Sequence, residues 1–142
     1  MNPAVDRIVE TFEGLTPAGV ETLGAIYAPD ARFKDPFNDV RGLAEIQRVF
    51  RHMYVSLESP RFVVTERIVQ GAQCFLTWEF HFAFRRFHKG RAQRILGGSH
   101  LVLDGEGLIT LHRDYWDAAE ELYEKLPAIG SLMRWLKRRG NS

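Results

Sequence analysis

Asp35 is the side chain best placed to do chemistry. It stands in the run Tyr27-Ala28-Pro29-Asp30-Ala31-Arg32-Phe33-Lys34-Asp35-Pro36-Phe37. Residues two apart on a strand share a face, so Asp35 falls between Phe33 and Phe37, and Arg32 and Lys34 take the other side. A carboxyl group among aromatic rings loses hydration, and its pKa rises unless a cation pairs with it. In that state it is a candidate general base. The competing reading is a strand-end Asp that accepts backbone N–H bonds in the turn before Gly42.

A second set of polar residues lies near the C-terminal end. On an expected last strand, Leu108–Trp116, the side chains of His112, Asp114 and Trp116 share one face. His112 either orients a ligand carbonyl or is a satisfied core histidine. Asp114 either titrates or forms a buried ion pair, with Arg94 or Arg113 as partner. Ser99 lacks the elbow motif of a nucleophile. His100, its neighbour, points the opposite way. His81 and Glu79 share the polar face of a long strand and read as an interface network. A metal site from His81, His100 and Glu79 matches no ligand spacing of a known type, so no metal is expected. Trp78, Trp116, Phe33, Phe37, Phe50 and Tyr54 are large apolar surfaces. They are either plain core or the lining of a pocket for an apolar, cyclic ligand.

The elements that must position these residues follow from periodicity. Asn2-Pro3 is a helix start, with Val5, Ile8, Val9 and Phe12 at helical spacing. Thr16-Pro17 repeats the signal for a second helix carrying Val20, Leu23, Ile26 and Tyr27 and ending before Pro29. A strand over Phe33–Asp35 and a loop to Gly42 precede a third helix, with Leu43, Ile46, Val49, Phe50, Met53, Tyr54 and Leu57 inward. From Pro60 the period becomes two. Strands are expected over Arg61–Val69, Phe75–Phe87, Arg91–Leu103 and Leu108–Trp116, joined by short turns. Gly97-Gly98 suggests a bulge or bend. Asp117 and Glu120 form a capping box for a C-terminal helix. Helices followed by hairpin-linked strands make the class α+β, with a curved sheet around the helices and an apolar hollow inside it.

Bulk numbers set the frame. The chain has 142 residues, 45% hydrophobic, with a formal net charge of +1. That length fits one domain. The near-zero charge gives no field for nucleic acid. Cys74 is the only cysteine, in an apolar strand, which fits a reducing compartment. The N-terminus lacks signal-peptide features, and no apolar run reaches membrane-span length, so a cytoplasmic location is expected.

The order helix, helix, Tyr-Ala-x-Asp-Ala-x-Phe-x-Asp-Pro, helix, then curved hairpins resembles the nuclear transport factor 2-like superfamily. The closer likeness is to its SnoaL-like and ketosteroid isomerase-like branch. A second matching tract is Ser99-His100-Leu101-Val102-Leu103-Asp104-Gly105-Glu106-Gly107-Leu108-Ile109. The resemblance implies a cone-shaped, mostly antiparallel sheet wrapped around N-terminal helices. It implies a SnoaL-like domain over residues 1–118, with 119–142 as a C-terminal helical extension. Asp35 matches the isomerase's general base. The isomerase's acidic oxyanion residue falls at Ser99, and its tyrosine falls near Ile8 or Phe12, neither of them a donor. A ketosteroid isomerase proper is therefore not expected. The resemblance turns the His112, Asp114 and Trp116 face into the pocket. Asp114 resembles the acidic residue deep in the cone of the cyclases and the limonene epoxide hydrolase-type enzymes.

Together these give an expected site of Asp35, Asp114 and His112 for chemistry. Ser99, Trp116, Phe33, Phe37, Trp78, Tyr54 and Phe50 would contact the ligand, with no organic cofactor. The alternative is a non-catalytic binding or interaction module with a vestigial pocket. The resemblance also implies a homodimer through the sheet. The basic amphipathic tail, Leu126 to Arg139, reads as a lid or dimer contact in preference to a membrane-surface helix.

Overall fold

The computed structural model describes residues 2–86 and 91–117. The expected C-terminal helix and the tip of the hairpin after Arg86 lie outside the described residues.

Helix α1 (Pro3–Glu13) begins as its sequence dictates. The Asn2 side chain accepts a hydrogen bond from Val5 N at 3.2 Å, and Pro3 fills the first position. Its buried stripe is Val5, Ile8, Val9 and Phe12. The second expected helix is a 3-10 helix, Ala18–Ala25. Gly19 and Gly24 weaken it as an α-helix. Tyr27 is not on that helix but opens strand β1 (Tyr27–Lys34), so Pro29 stands inside a strand. The β1 pairing with the last strand is irregular between Tyr27 and Arg32, and proline, which has no N–H, falls in that gap.

A short strand, β2 (Asp39–Arg41), replaces part of the expected loop and pairs back onto β1. Helix α2 (Leu43–Ser56) buries Ile46 and Phe50. Strands β3 (Leu57–Gln70), β4 (Gln73–Phe84), β5 (Gln93–Leu103) and β6 (Ile109–Tyr115) follow. Leu57, expected on the helix, starts β3. The sheet order is β2-β1-β6-β5-β4-β3, a curved, unclosed sheet. Every pair is antiparallel except β1 with β6. The parallel pair brings the start of the sheet beside its end, and so brings Phe33 level with His112.

Gly97 and Gly98 do not form a bulge, because the β4–β5 register runs unbroken through them. They make room for rings instead. A Cβ on Gly97 would meet Trp78 at 2.5 Å, and one on Gly98 would meet Phe75 at 2.5 Å. The register shifts lie on β3, at Glu58/Arg61 and Val64/Glu66, where added residues bend the strand. The core fills the concave side, with Ile8, Leu23, Ile26, Ile46, Leu76, Leu101 and Ile109 at most 1% exposed. Each such burial stabilises by about 1.5–3 kcal/mol relative to exposure. Among the described residues, no helix is long and apolar enough to cross a membrane.

Candidate functional site

The helices do not fill the hollow of the sheet. A cavity of about 190 Å³ remains between α1, α2 and the concave face. Its walls are aromatic: Phe12 of α1, Phe33 of β1, Phe50 of α2, Phe62 of β3, and Trp78, Phe80, Phe82 and Phe84 of β4. The β4 rings are two apart, so the pleat turns all four inward. Phe37 and Trp116, just past the ends of β1 and β6, meet edge to face at 5.5 Å. No lysine or arginine among the described residues lines the cavity.

Nine of the ten residues expected at the site border this cavity: Asp35, Asp114, His112, Ser99, Trp116, Phe33, Phe37, Trp78 and Phe50. Tyr54 does not, which corrects its assignment as a ligand contact. Helix residues advance about 100° each, and the α2 lining centres on Val49, Met53 and Ser56. Tyr54 is turned past Phe50 and packs against the core instead.

Asp35 closes the turn with its hydrogen bonds and also borders the cavity as a buried carboxyl group. Its Oδ1 closes the turn, accepting from Phe37 N at 2.8 Å, Asn38 N at 2.7 Å and Asn38 Nδ2 at 3.0 Å. Its Oδ2 receives one longer bond, from Asn38 Nδ2 at 3.2 Å. Burial pushes the Asp35 pKa up to about 6, and the neighbouring Asp114 charge adds to the rise. The turn's hydrogen bonds oppose it, because they favour the ionised form.

Asp114 is held by side chains from three strands. Trp78 Nε1 is a donor only, so Ser99 Oγ accepts from it at 2.9 Å and passes its own proton to Asp114 Oδ1 at 2.5 Å. The Trp78 ring reaches this position because Gly97, its cross-strand partner, has no side chain. His112 Nε2 lies 2.7 Å from the same Asp114 oxygen, and His112 Nδ1 lies 2.6 Å from the Tyr27 hydroxyl. Asp114 accepts, so His112 Nε2 carries a proton directed at it, and in the neutral imidazole Nδ1 then accepts from the Tyr27 hydroxyl, whose pKa burial holds well above its usual value. His112 is a satisfied buried histidine and a cavity residue at once. Phe33 and Phe12 pack edge to face against its ring at 4.7 and 5.6 Å. No arginine pairs with Asp114 in this network, so the ion pair with Arg94 or Arg113 gives way to Ser99 and His112. Asp114 Oδ2 takes no hydrogen bond from the described residues.

Several lining residues were not singled out from sequence. Phe62 comes from a strand whose register shifts hide its facing. Asn38 sits in the turn, and its Oδ1 is buried without a partner among the described residues. The Tyr27–His112 bond joins positions 85 apart, and no local signal announces it. Away from the cavity, His81 Nε2 pairs with Glu79 at 3.0 Å and His100 Nε2 with Gln73 at 2.8 Å. Among the described residues, no group of three or more His, Cys, Asp or Glu is placed to hold a metal ion. Asp35, Asp114 and Trp116 also border an open groove walled by Lys34, Arg113 and Asp117.

No protein with a curated description matches this chain. Solved structures share its fold. An NTF2-like protein of unknown function from Burkholderia pseudomallei is 18% identical, with TM-score 0.74, over 87% of this chain and 97% of its own. A putative SnoaL-like polyketide cyclase from Shewanella putrefaciens is 21% identical, with TM-score 0.70, over 87% and 98%. A limonene epoxide hydrolase-like epoxide hydrolase from M. tuberculosis is 18% identical, with TM-score 0.67, over 94% and 91%. The family model of the SnoaL-like domain matches residues 7–112, from α1 to the cavity histidine. With that match over most of its length, this chain belongs to the SnoaL-like domain family, and it shares its fold with the NTF2-like protein.

Proposed function

We propose that the cavity binds a small, mostly apolar ring compound and performs acid–base chemistry on it without an organic cofactor. The reaction class is isomerisation, cyclisation, dehydration or epoxide hydrolysis. One observation carries this reading. Two carboxyl groups border the same aromatic cavity, and in each the protein ties one oxygen firmly and leaves the other with at most one long bond. Asp35, with its pKa near 6, moves a proton close to neutral pH. Asp114, oriented by His112 and Ser99, polarises the other end of the ligand. The fold is shared with a cyclase and an epoxide hydrolase, which supports the reaction classes but not a substrate.

Size narrows the ligand. A 150 Å³ apolar cavity binds benzene. Scaled from that, the 190 Å³ here takes roughly seven to eight non-hydrogen atoms, the size of a single substituted ring.

The test is a thermal-shift screen with single-ring enones, phenols and terpene epoxides, on wild type, Asp35→Asn and Asp114→Asn. A ligand at about 100 times its dissociation constant stabilises by about 2.7 kcal/mol, several degrees for a domain of this size. Hits that weaken in both variants and turn over only in wild type are expected. Hits indifferent to both carboxyl groups would sink the reading. A homodimer and a cytoplasmic location belong to the same reading. The dimer is favoured by Leu96 and Tyr115, 48% and 47% exposed on the face turned from the cavity.

A further inference from the structure

The cavity has a chemical asymmetry that its aromatic walls conceal. Its polar corner is rich in acceptors and poor in donors. Asp114 Oδ2 and Asn38 Oδ1 have no donor among the described residues, and Asp35 Oδ2 has only the 3.2 Å bond. The donors of the corner, Ser99 Oγ and His112 Nε2, are already spent on Asp114 Oδ1. No lysine or arginine among the described residues lines the cavity to balance the carboxyl groups. Lys34 and Arg113 border the adjoining groove instead. Meanwhile ten aromatic rings face the space, and the π-face of an aromatic ring attracts cations. An anion would meet two carboxyl groups with no lysine or arginine of the described residues beside them. A neutral ring would leave the acceptors unmatched, at a cost of about 1–3 kcal/mol for each one buried.

We propose that the ligand is a small lipophilic cation, a single-ring aralkyl or cycloalkyl ammonium, with its ring among the phenylalanines and its N–H donors at the Asp35–Asp114 corner. This rests on reading the cavity as the functional site, and it names the substrate class of that site. A primary ammonium has three donors. The corner offers two under-used carboxyl oxygens, Asp35 Oδ2 and Asp114 Oδ2. The cation also offsets the like-charge repulsion between the two carboxyl groups.

The proposal predicts proton linkage. The charged or titratable groups around Asp35 are His52 of α2, Lys34 of β1, His112, Arg113 and Asp114 of β6, and Asp117 beyond it. Of these, Asp114 raises the Asp35 pKa and a bound cation lowers it, so binding releases a proton near pH 6.

The experiment is calorimetric titration of the full chain with three matched probes: 2-phenylethylammonium, 2-phenylethanol and phenylacetate. At pH 7.5 the amine is expected to bind at least tenfold more tightly than the alcohol, and phenylacetate most weakly. The amine stays charged throughout, as lysine does. Its affinity is expected to fall up to about tenfold from pH 7.5 to 5, because Asp35 protonates with its pKa near 6. In Asp35→Asn that pH dependence disappears. Tighter or equal binding of the alcohol or of phenylacetate overturns the cation. If the alcohol then still depends on Asp35, the acid–base reading of the site stands alone. Binding of none of the three overturns both.

Discussion

Asp35 and Asp114 reach the same cavity by opposite means. Asp35 is tied by a turn of its own chain, through backbone N–H groups two and three residues on. Asp114 is tied by side chains 15 residues away on β5 and two away on β6, with Trp78 and Tyr27 behind them. Backbone donors move only if the turn moves. Side-chain donors can be removed one at a time. Asp35 is therefore robust in position and labile in charge, with its pKa near 6. Asp114 is positioned by a relay, and its orientation is only as good as that relay.

The largest effect should come from breaking the relay at its centre. His112→Ala removes a buried ring packed against Phe12, Phe33 and Tyr27, and it strips a donor from Asp114. Loss of about 3–5 kcal/mol is expected on chemical denaturation. A loss below about 1 kcal/mol would mean that the relay does not hold the strand pair together.

The matching change at the other carboxyl group should act in the opposite direction. The folded-state pKa of Asp35 lies above the ordinary aspartate value of 3.8, at about 6. The folded protein then holds the proton more tightly, so stability falls as pH rises from about 4 to 6 and stays lower above that. The full penalty is about 3 kcal/mol at most. Asp35→Asn keeps an acceptor for the turn and removes the charge. It should stabilise the protein by about 1–3 kcal/mol at pH 8 and by nothing at pH 4. Equal effects at the two pH values would show that Asp35 is not strained by its burial. The gain would accompany loss of the proposed acid–base function, the usual exchange at such sites.

The same contrast separates what was legible in the sequence from what was not. Asp35 was legible because its environment is local. Alternation put it between two aromatics, and Asp-Pro-Phe-Asn announced the turn. The inward face of β4 was legible for the same reason, since Leu76, Trp78, Phe80, Phe82 and Phe84 keep strict period two. The α+β class and the curved sheet followed from segregated periods. The partners of Asp114 were not legible. The Ser99 contact depends on the β5–β6 register, and the Tyr27 contact depends on β1 lying parallel to β6. Neither pairing leaves a trace in local spacing. Gly97-Gly98 was misleading because glycine marks both bends and close approaches. Here the approach is a tryptophan ring. Tyr54 was misplaced because seven apolar positions on one helix cover more than one face.

A smaller effect should follow from the outer end of the relay. Tyr27→Phe removes one hydroxyl from a fully buried ring and leaves His112 Nδ1 without its donor. A cost of about 1–3 kcal/mol is expected. The sharper readout is the imidazole itself. Nitrogen NMR should show His112 with its proton on Nε2 in wild type, and a mixture of tautomers or added protonation in the variant. An unchanged tautomer would show that Asp114 alone orients the ring.

The smallest effect distinguishes the turn from the corner. Asn38 bonds Asp35 in two ways, through its backbone N–H and through Nδ2. Only the second is lost in Asn38→Ala. Because that bond favours the ionised carboxylate, its loss should raise the Asp35 pKa above 6, while the backbone bonds keep the turn. Stability at neutral pH should drop by no more than about 1 kcal/mol. The titration can be followed through the carboxyl carbon of Asp35. An upward shift with an intact turn would confirm that the side chain of Asn38 tunes the acid while the backbone places it. A downward shift would mean that removing the amide opens the corner to water, and that desolvation of Asp35 depends on Asn38 more than on the aromatic walls. In that case the contrast with Asp114 weakens, because both carboxyl groups would owe their state to a removable side chain.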